Sequence, residues 1–442
     1  MAAAVKSKFV FGLISLAAVA MGVTQVALEG FHWQMTFAYF GLFLLLAKQF
    51  IGKPGLAKTE TELGSKKIPT SQFAKLAFIL LAISLCFAIA VPIAELPAPH
   101  GPYGVGTQTY PLSDNKRREI FSNDANQKRE LVIQIWYPTQ ANLVGKVAPF
   151  MQESNNLSPF LSAPLFAILA SHLHFIKTHS LVNAPIAASE KTYPLLIFSH
   201  GVLGGRIQNT VQAEELASHG YIVAGIDHTY DSAFAIFPDK TIPSQLITSK
   251  LNSVSLVGDS AMTQRRQDVQ FVLDELQKLS MKSSSNELFR RIDFNEVGVF
   301  GHSLGGQTAM LVCSKDDRFK AGLSMDGFRS LPPGAIRQPF MFIQADQVGS
   351  PIGIYEYLKP STGPHYCLKL QHAQHANFTD LPLITPLHWI IGMSGDINAS
   401  RAMNVIDDYS LAFFNRYLKH AREDLLDCPS PKYPEMKFEK DD

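Results

Sequence analysis

The sequence predicts an α/β protein in which a mostly parallel β-sheet is flanked by helices and preceded by an N-terminal helical transmembrane region. From about residue 193 onward, short apolar runs alternate with helical patterns, which is typical of parallel sheets covered on both faces. A serine bounded by glycines lies between one apolar run and the next helix. Before residue 98 the chain contains three long uncharged segments.

These three segments, at 9–28, 31–47 and 76–94, predict a membrane anchor over residues 1–97. A bilayer core is spanned by about 20 helical residues, so each segment is long enough to be a transmembrane helix, the second barely. The basic residues before the first segment also suit a cleaved signal peptide. Because two further apolar segments follow closely, three membrane helices are favoured.

The lysines between the segments predict the orientation of the anchor. The first link, Glu29-Gly30, has neither Lys nor Arg, whereas the second connection carries six lysines against two glutamates. Positively charged loops stay in the cytoplasm. We therefore expect a cytoplasmic N-terminus and a catalytic domain on the non-cytoplasmic side, in a periplasmic, extracellular or luminal space.

Charge and cysteine content exclude some classes of function. The net charge of the 442-residue chain is +1, which argues against nucleic acid as a partner. The four cysteines show neither metal-binding spacing nor a CxxC pair; they are Cys86, Cys313, Cys367 and Cys428. A disulfide between Cys367 and Cys428 is left open.

A globular domain is expected over residues 98–442. The alternating segment 131–137 predicts its first strand, and the charged segment 114–129 before it is predicted to be a solvated hairpin or loop. Residues 150–188 are predicted to form an amphipathic helical insert. Packing in a core or cap is favoured for the insert over lining a substrate pocket or touching a bilayer.

The insert contains three histidines, His172, His174 and His179. No acidic or sulfur-containing side chain is spaced to complete a metal site with them. We therefore expect no metal there.

After the insert, strands and helices alternate. Strands are predicted at 194–198, 221–226, 297–300, 321–325, 339–343 and 366–370, and helices at 210–218, 262–279, 306–312, 383–392 and 401–420. In such sheets the functional site lies at the carboxyl ends of the strands. Polar residues follow those ends: His200, Asp227, His228, Asp326, Asp346, His372 and His375.

The stretch Gly301-His302-Ser303-Leu304-Gly305 fits the pattern Gly-x-Ser-x-Gly between a strand and a helix. Glycines two residues on either side of a serine let the backbone turn tightly enough to hold the hydroxyl at the head of the helix. An ordinary glycine-rich turn is the alternative. The strand-turn-helix context favours a nucleophile elbow, as in α/β-hydrolases, with Ser303 as the nucleophile.

A serine nucleophile needs a histidine to accept its proton and a carboxylate to orient that histidine. The expected order along the chain is Ser, acid, His. Asp326 and Asp346 each follow a strand after the elbow, and the pattern leaves both open. His372 and His375 both follow the last strand, whereas His388 lies in an apolar helical run and is predicted to be packed.

An oxyanion hole needs two backbone amides aimed at the developing negative charge. One is expected from Leu304, the residue after the nucleophile. The other is expected from the loop after the 194–198 strand, which contains His200-Gly201-Val202. A simple βα turn is the alternative interpretation of these glycines.

Taken together, residues from about 101 to 380 resemble the plasma-type (type II) platelet-activating-factor acetylhydrolase family, including its bacterial relatives. That family consists of calcium-independent serine esterases with an α/β-hydrolase fold, which act on short or oxidised sn-2 acyl groups of phospholipids. The matching stretches are Gly101-Pro-Tyr-Gly-Val-Gly106, Ile133-Gln-Ile-Trp-Tyr-Pro138, Phe198-Ser-His-Gly201, Leu216-Ala-Ser-His-Gly-Tyr221, Asp227-His228, Gly301-His-Ser-Leu-Gly-Gly306 and His375-Ala-Asn-Phe-Thr-Asp380.

The resemblance implies roles for individual residues. Ser303 would be the nucleophile, Asp326 the acid and His375 the base. The amides of Val202 and Leu304 would form the oxyanion hole. His200 and His228 match family positions near the site and have no role in the triad.

The chain departs from the animal enzymes in its membrane segments and in its 150–188 insert, which leaves the substrate open. We expect an ester or phospholipid substrate, contact with the membrane through the N-terminal helices, and neither a metal nor an organic cofactor. The alternatives are an acyltransferase or a generic carboxylesterase or lipase with the same triad, and lastly a non-catalytic membrane receptor or scaffold.

Overall fold

The architecture of the protein is taken from a computed structural model. Its described residues form two compact units, Met1–Ile93 and Ala94–Asp442. The described residues are 2–51, 70–122, 124–151, 172–244, 258–282, 286–327, 334–346, 360–389 and 392–439.

The first unit is helical. It contains α1 (Ala2–Glu29), α2 (Thr36–Ile51) and α3 (Thr70–Ala90), with a 3-10 turn at Trp33–Met35 leading into α2. Helix α3 ends before the predicted boundary at residue 94. The reason is Pro92, because a proline disfavours the helical conformation in the residue before it.

One segment of the described residues is long and apolar enough to cross a membrane. It is Gln72–Ala90, with 19 residues and a mean hydropathy of 2.4. The apolar helical stretches Leu16–Glu29 and Trp33–Ala47 are shorter. The structure thus offers one candidate span by length and composition, while three spans and their orientation stay predictions.

The second unit is built on β-strands. In chain order, its described strands are β1 (Gly104–Arg118), β2 (Lys128–Thr139), β3 (Val147–Pro149), β4 (Lys177–Val182), β5 (Tyr193–Ser199), β6 (Ile222–Asp227), β7 (Phe234–Ile236), β8 (Thr241–Pro243), β9 (Ile292–His302), β10 (Phe319–Met325), β11 (Phe340–Ala345), β12 (His365–Leu370) and β13 (Met436–Phe438). Strands β7 and β8 pair as a separate two-stranded sheet. The other eleven form one sheet in the order β13-β12-β11-β10-β9-β5-β6-β2-β1-β4-β3.

The centre of the large sheet is parallel. Strands β12, β11, β10, β9, β5 and β6 run in the same direction. Strand β2 is antiparallel to both β6 and β1, and β13 is antiparallel to β12 at the other edge. The predicted α/β class with a mostly parallel sheet is confirmed. Because the six central strands share a direction, their carboxyl ends meet at one edge of the sheet.

Helices cover both faces of this sheet. The described helices of this unit are α4 (Thr210–Ser218), α5 (Asp259–Lys282), α6 (Glu287–Arg290), α7 (Leu304–Cys313), α8 (Leu381–Ile384) and α9 (Ala399–Leu418). Alternate residues of a strand point to opposite faces. Leu195 and Ile197 accordingly pack in one apolar core with α5, and Leu196 and Phe198 pack in another with α9.

Two predicted helical segments differ in the structure. The segment 383–392 is broken, since α8 ends at Ile384 and a 3-10 turn follows at Pro386–Trp389. Within the predicted insert, residues 152–171 lie outside the described residues. Lys177–Val182 is strand β4, which pairs with β1, and its residues 177–180 alternate between exposed and buried as a strand requires.

Candidate active site

Ser303 lies at a sharp turn between β9 and α7. Its backbone has φ 55° and ψ −120°. Residues other than glycine rarely adopt this conformation, and such strained residues cluster at functional sites. The turn is possible because position 305 is glycine. A Cβ built there would lie 1.8 Å from the carbonyl oxygen of Ser199.

Asp326 directly follows β10, the strand beside β9, and it too has a positive φ, 47°. Its Oδ2 is 2.5 Å from His375 Nδ1, and its Oδ1 accepts a hydrogen bond from the Ala345 amide at 3.0 Å. Burial raises the pKa of Asp326, but the hydrogen bond and charge of His375 outweigh it, so the net pKa lies below the usual value. An ionised carboxylate only accepts, so His375 Nδ1 carries the proton.

His375 begins a 3-10 turn, His375–Phe378, after β12. With Nδ1 protonated, Nε2 is the acceptor of the neutral ring. The ring packs on that of His302, with 4.4 Å between centroids, and His302 Nε2 lies 3.0 Å from the His375 carbonyl oxygen. Burial, followed by the charge of His375, lowers the pKa of His302 to about 3. His302 therefore stays neutral and donates to that carbonyl.

The loop after β5 lies against the elbow. A Cβ built on Gly201 would be 3.2 Å from Ser303 Cβ and 3.0 Å from His302 Nδ1, so a side chain at this position would crowd both residues. Val202 follows in the loop, and Leu304 is the first residue of α7. Amides at the start of a helix have no intrahelical partner, so the Leu304 N–H is available to a ligand.

A cavity of about 580 Å³ contains Ser303, His375 and Val202 in its wall. This volume is in the usual range for small-molecule sites. Most of the remaining wall is apolar, including Phe150, Met151, Leu173, Ile207, Phe234 and Ile236. The arrangement puts a serine and a histidine held by a carboxylate beside one apolar space, and acyl transfer by a serine nucleophile requires these groups.

Comparison with known proteins shows the family of the chain. The family model described as "Platelet-activating factor acetylhydrolase, isoform II" matches residues 88–428. The chain belongs to this family. A platelet-activating factor acetylhydrolase of Cavia porcellus is 26% identical over 73% of this chain and 78% of its own length. A probable 1-alkyl-2-acetylglycerophosphocholine esterase of Arthroderma benhamiae is 25% identical over 80% of this chain and 98% of its own length.

A solved structure is similar as well. The ferulic acid esterase from Streptomyces cinnamoneus superposes with a TM-score of 0.64 at 30% identity, covering 78% of this chain and 99% of that one. With the family, this similarity identifies the chain as a carboxylic-ester hydrolase of the serine-esterase type with an α/β-hydrolase fold.

The remaining candidates for the acid and the base, Asp346, His372 and His388, have other partners or surroundings. Asp346 accepts a hydrogen bond from the His372 amide at 3.1 Å, and His372 Nδ1 contacts Asp396 at 3.1 Å in an exposed position. Among the described residues, neither side chain forms a hydrogen bond with Asp326 or His375. His388 is half-buried in the turn at Pro386–Trp389, and burial lowers its pKa.

Two polar residues of the cavity wall that the sequence analysis does not single out are Gln208 and Arg206. Gln208 Oε1 accepts a hydrogen bond from the Gly201 amide at 2.8 Å. Arg206 forms a buried ion pair with Asp227, whose Oδ1 also accepts from the Arg206 amide at 2.6 Å. Their place shortly after the glycine loop was the only available signal.

Among the described residues, no group of three or more His, Cys, Asp or Glu side chains is arranged to hold a metal ion. His179, in the insert, contacts the Leu96 carbonyl through Nε2 at 3.0 Å. Cys367 is buried on β12 and Cys428 is exposed, and no disulfide joins these two described residues.

Proposed function

We propose that this protein hydrolyses carboxylic esters through a triad of Ser303, His375 and Asp326, with the amides of Val202 and Leu304 as the oxyanion hole. The observation that carries the proposal is the 2.5 Å contact between Asp326 and His375, because His375 lies in the wall of the same cavity as the strained Ser303.

Acylation begins when Ser303 Oγ attacks the ester carbonyl carbon while His375 Nε2 accepts the hydroxyl proton. Asp326 keeps the imidazole in the required tautomer and stabilises its positive charge. The two amides bind the negative oxygen of the tetrahedral intermediate. When the carbon–oxygen bond breaks, the imidazolium gives its proton to the leaving alkoxide, and an alcohol or lysolipid departs.

Deacylation repeats these steps with water. His375 removes a proton from water, the hydroxyl attacks the Ser303 ester, and the same amides bind the second oxyanion. The ester bond to Ser303 then breaks, its oxygen takes the proton back, and the carboxylic acid leaves. The cycle uses neither a metal nor an organic cofactor.

For the substrate, we propose a short or oxidised acyl ester of a phospholipid, because one relative is named platelet-activating factor acetylhydrolase and another probable 1-alkyl-2-acetylglycerophosphocholine esterase. The neighbour named as a ferulic acid esterase supports a general carboxylesterase as the second candidate. A screen of the full chain in detergent, with p-nitrophenyl esters, a feruloyl ester and short-acyl phosphatidylcholines, separates them. Product analysis with an added alcohol acceptor separates hydrolysis from acyl transfer.

We also propose that residues 1–97 anchor the enzyme through helices at 9–28, 31–47 and 76–94, with the N-terminus in the cytoplasm and the domain 98–442 outside it. The apolar segment of α3 and the lysines of the second connection support this orientation.

Labelling with a fluorophosphonate probe tests the nucleophile. The wild-type chain should be labelled, and Ser303→Ala should not. Ser314→Ala is a matched control because Ser314 lies past the end of α7 and donates only to the Leu311 carbonyl. Labelling that persists in Ser303→Ala would refute the proposal.

A further inference from the structure

A buried histidine, His200, lies directly before the loop residues Gly201 and Val202 and is fully enclosed. Its Nδ1 is 2.6 Å from the Gly201 carbonyl oxygen. This carbonyl belongs to the same peptide group as the Val202 amide, and the C=O and N–H of a trans peptide point in opposite directions. A group that holds the Gly201 carbonyl therefore sets the direction of the Val202 N–H.

The tautomer of His200 follows from its partners. A carbonyl oxygen only accepts, so Nδ1 carries the proton. On the other side of the ring, the His228 amide donates to Nε2 at 3.3 Å and the Ser232 hydroxyl lies 2.9 Å from it. Nε2 is therefore an acceptor, and both nitrogens of a neutral ring are satisfied.

Helix α5 holds the backbone at His200. Arg265 donates to the His200 carbonyl at 2.6 Å and to Ser199 Oγ at 3.3 Å, and its Nε donates to Asp231 at 2.5 Å. On the far side of the same peptide, the Gly201 amide donates to Gln208. The peptide between His200 and Gly201 is thus held at both its carbonyl and its amide.

The next turn of α5 supplies a second support. Asp268 Oδ2 is 2.9 Å from His228 Nδ1, and His228 Nε2 is 2.9 Å from Ser199 Oγ. Arg129 donates to both oxygens of Asp268. Burial opposes the ionisation of Asp268, but the charge of Arg129 outweighs it and lowers the pKa. The carboxylate therefore accepts from His228, which accepts from Ser199.

The hydrogen-bond chain Ser199–His228–Asp268 has the same order of residue types as a Ser-His-Asp triad, but it lies away from the proposed catalytic residues. Ser199, His228 and Asp268 are all fully buried, and none of them is in the cavity wall. An ester therefore has no access to Ser199. This hydrogen-bond chain holds Ser199, the last residue of β5, directly before His200.

We infer that His200 is a positioning residue for ester hydrolysis, which orients the Val202 amide toward the oxyanion through its hydrogen bond to the Gly201 carbonyl. Arg265 and the Ser199–His228–Asp268 chain hold His200 and its loop in place. The inference rests on the proposed function, because it assigns a support to the proposed oxyanion hole.

Two substitutions of similar size test the role of Nδ1. In His200→Asn the side-chain amide nitrogen lies near the position of Nδ1 and can still donate to Gly201, whereas in His200→Gln it lies near Nε2. Removing one oxyanion donor costs about 10²–10³ in kcat. We expect kcat for p-nitrophenyl acetate to fall by about 10–10² in His200→Gln with little change in KM, and to recover to within about fivefold in His200→Asn.

His100→Gln is the control, since His100 is mostly exposed and its hydrogen bonds among the described residues go to Glu215. Melting temperatures of all variants are compared, and His200→Asn and His200→Gln must melt alike for the difference in kcat to report on orientation. Equal kcat values for the two variants, or a loss in KM alone, would overturn the inference. Failure of the proposed function would look different, because Ser303→Ala would then keep its activity or labelling.

Discussion

His375 Nδ1 lies 2.5 Å from Asp326 Oδ2, whereas Asp346, one strand further along the sheet, accepts from the His372 amide instead. The carboxylate at the candidate site therefore comes from the end of β10, next to the strand that carries Ser303.

Replacing this carboxylate gives the first prediction. Asp326→Asn should lower kcat for p-nitrophenyl acetate by about 10⁴, because an amide in this position favours the wrong tautomer of the histidine. Asp346→Asn is the matched control and should change kcat by less than about threefold. Steady-state kinetics of both variants decide the matter. A large loss of kcat in Asp346→Asn with a small loss in Asp326→Asn would instead identify Asp346, at the end of β11, as the acid.

The elbow gives a second prediction. In Gly305→Ala the new methyl group would lie 1.8 Å from the Ser199 carbonyl, so backbone must move at both Ser303 and the end of β5. We expect a loss of at least about 3 kcal/mol in the free energy of unfolding, with loss of activity. Urea unfolding measures it. In the control Gly145→Ala the nearest atom would be 3.5 Å away, and wild-type stability is expected; equal stability of the two variants would contradict the elbow geometry.

Acid sensitivity gives a third prediction. Burial and the charge of Arg265 lower the pKa of His228 to about 4, against about 6.5 for an unfolded histidine. Between these values the folded state binds fewer protons than the unfolded state. The contribution of neutral His228 to the free energy of unfolding is therefore fully present above pH 6.5. It is lost as pH falls toward 4, and the total loss is about 3 kcal/mol.

Other buried groups also respond to pH, so the measurement compares two proteins. His200 and His302 act in the same direction, while buried carboxyl groups with raised pKa values act in the opposite one: Glu214, Asp227, Asp380 and Asp407. Urea unfolding at pH 7.5, 6 and 5 should show a smaller loss of stability in His228→Gln than in the wild type. The same pH dependence in both proteins would exclude His228 as the source.

Membrane orientation gives a fourth prediction. A reporter enzyme that works only outside the cytoplasm should be active when fused after residue 442 and inactive when fused after residue 66, within the lysine-rich connection. The lysines of that connection keep it in the cytoplasm. Activity of the fusion after residue 66, or inactivity of the fusion after residue 442, would contradict three membrane helices with a cytoplasmic N-terminus.

The sequence does not predict which charged residues are buried. The charged segment 114–129 is predicted to be a solvated hairpin or loop, and it contains the end of β1, which stops at Arg118, and the start of β2 at Lys128. Yet Arg129 is 1% exposed and pairs with Glu119 and Asp268. On α5, Arg265 and Asp268 are buried as well, although both carry charge. Their partners are distant in sequence, so local periodicity contains no sign of them.

The sequence by itself determined the alternation of strands and helices and the elbow at Ser303, because both depend on local apolar spacing and on glycines next to the serine. It left the acid open between Asp326 and Asp346 until the family resemblance was considered. Only the tertiary structure brought His375 to Asp326 and arranged Arg265 and His228 beneath the loop of His200. Those contacts join strands and helices far apart in the chain, and each buried charge or hydrogen-bonding group needs its distant partner to offset the cost of leaving water.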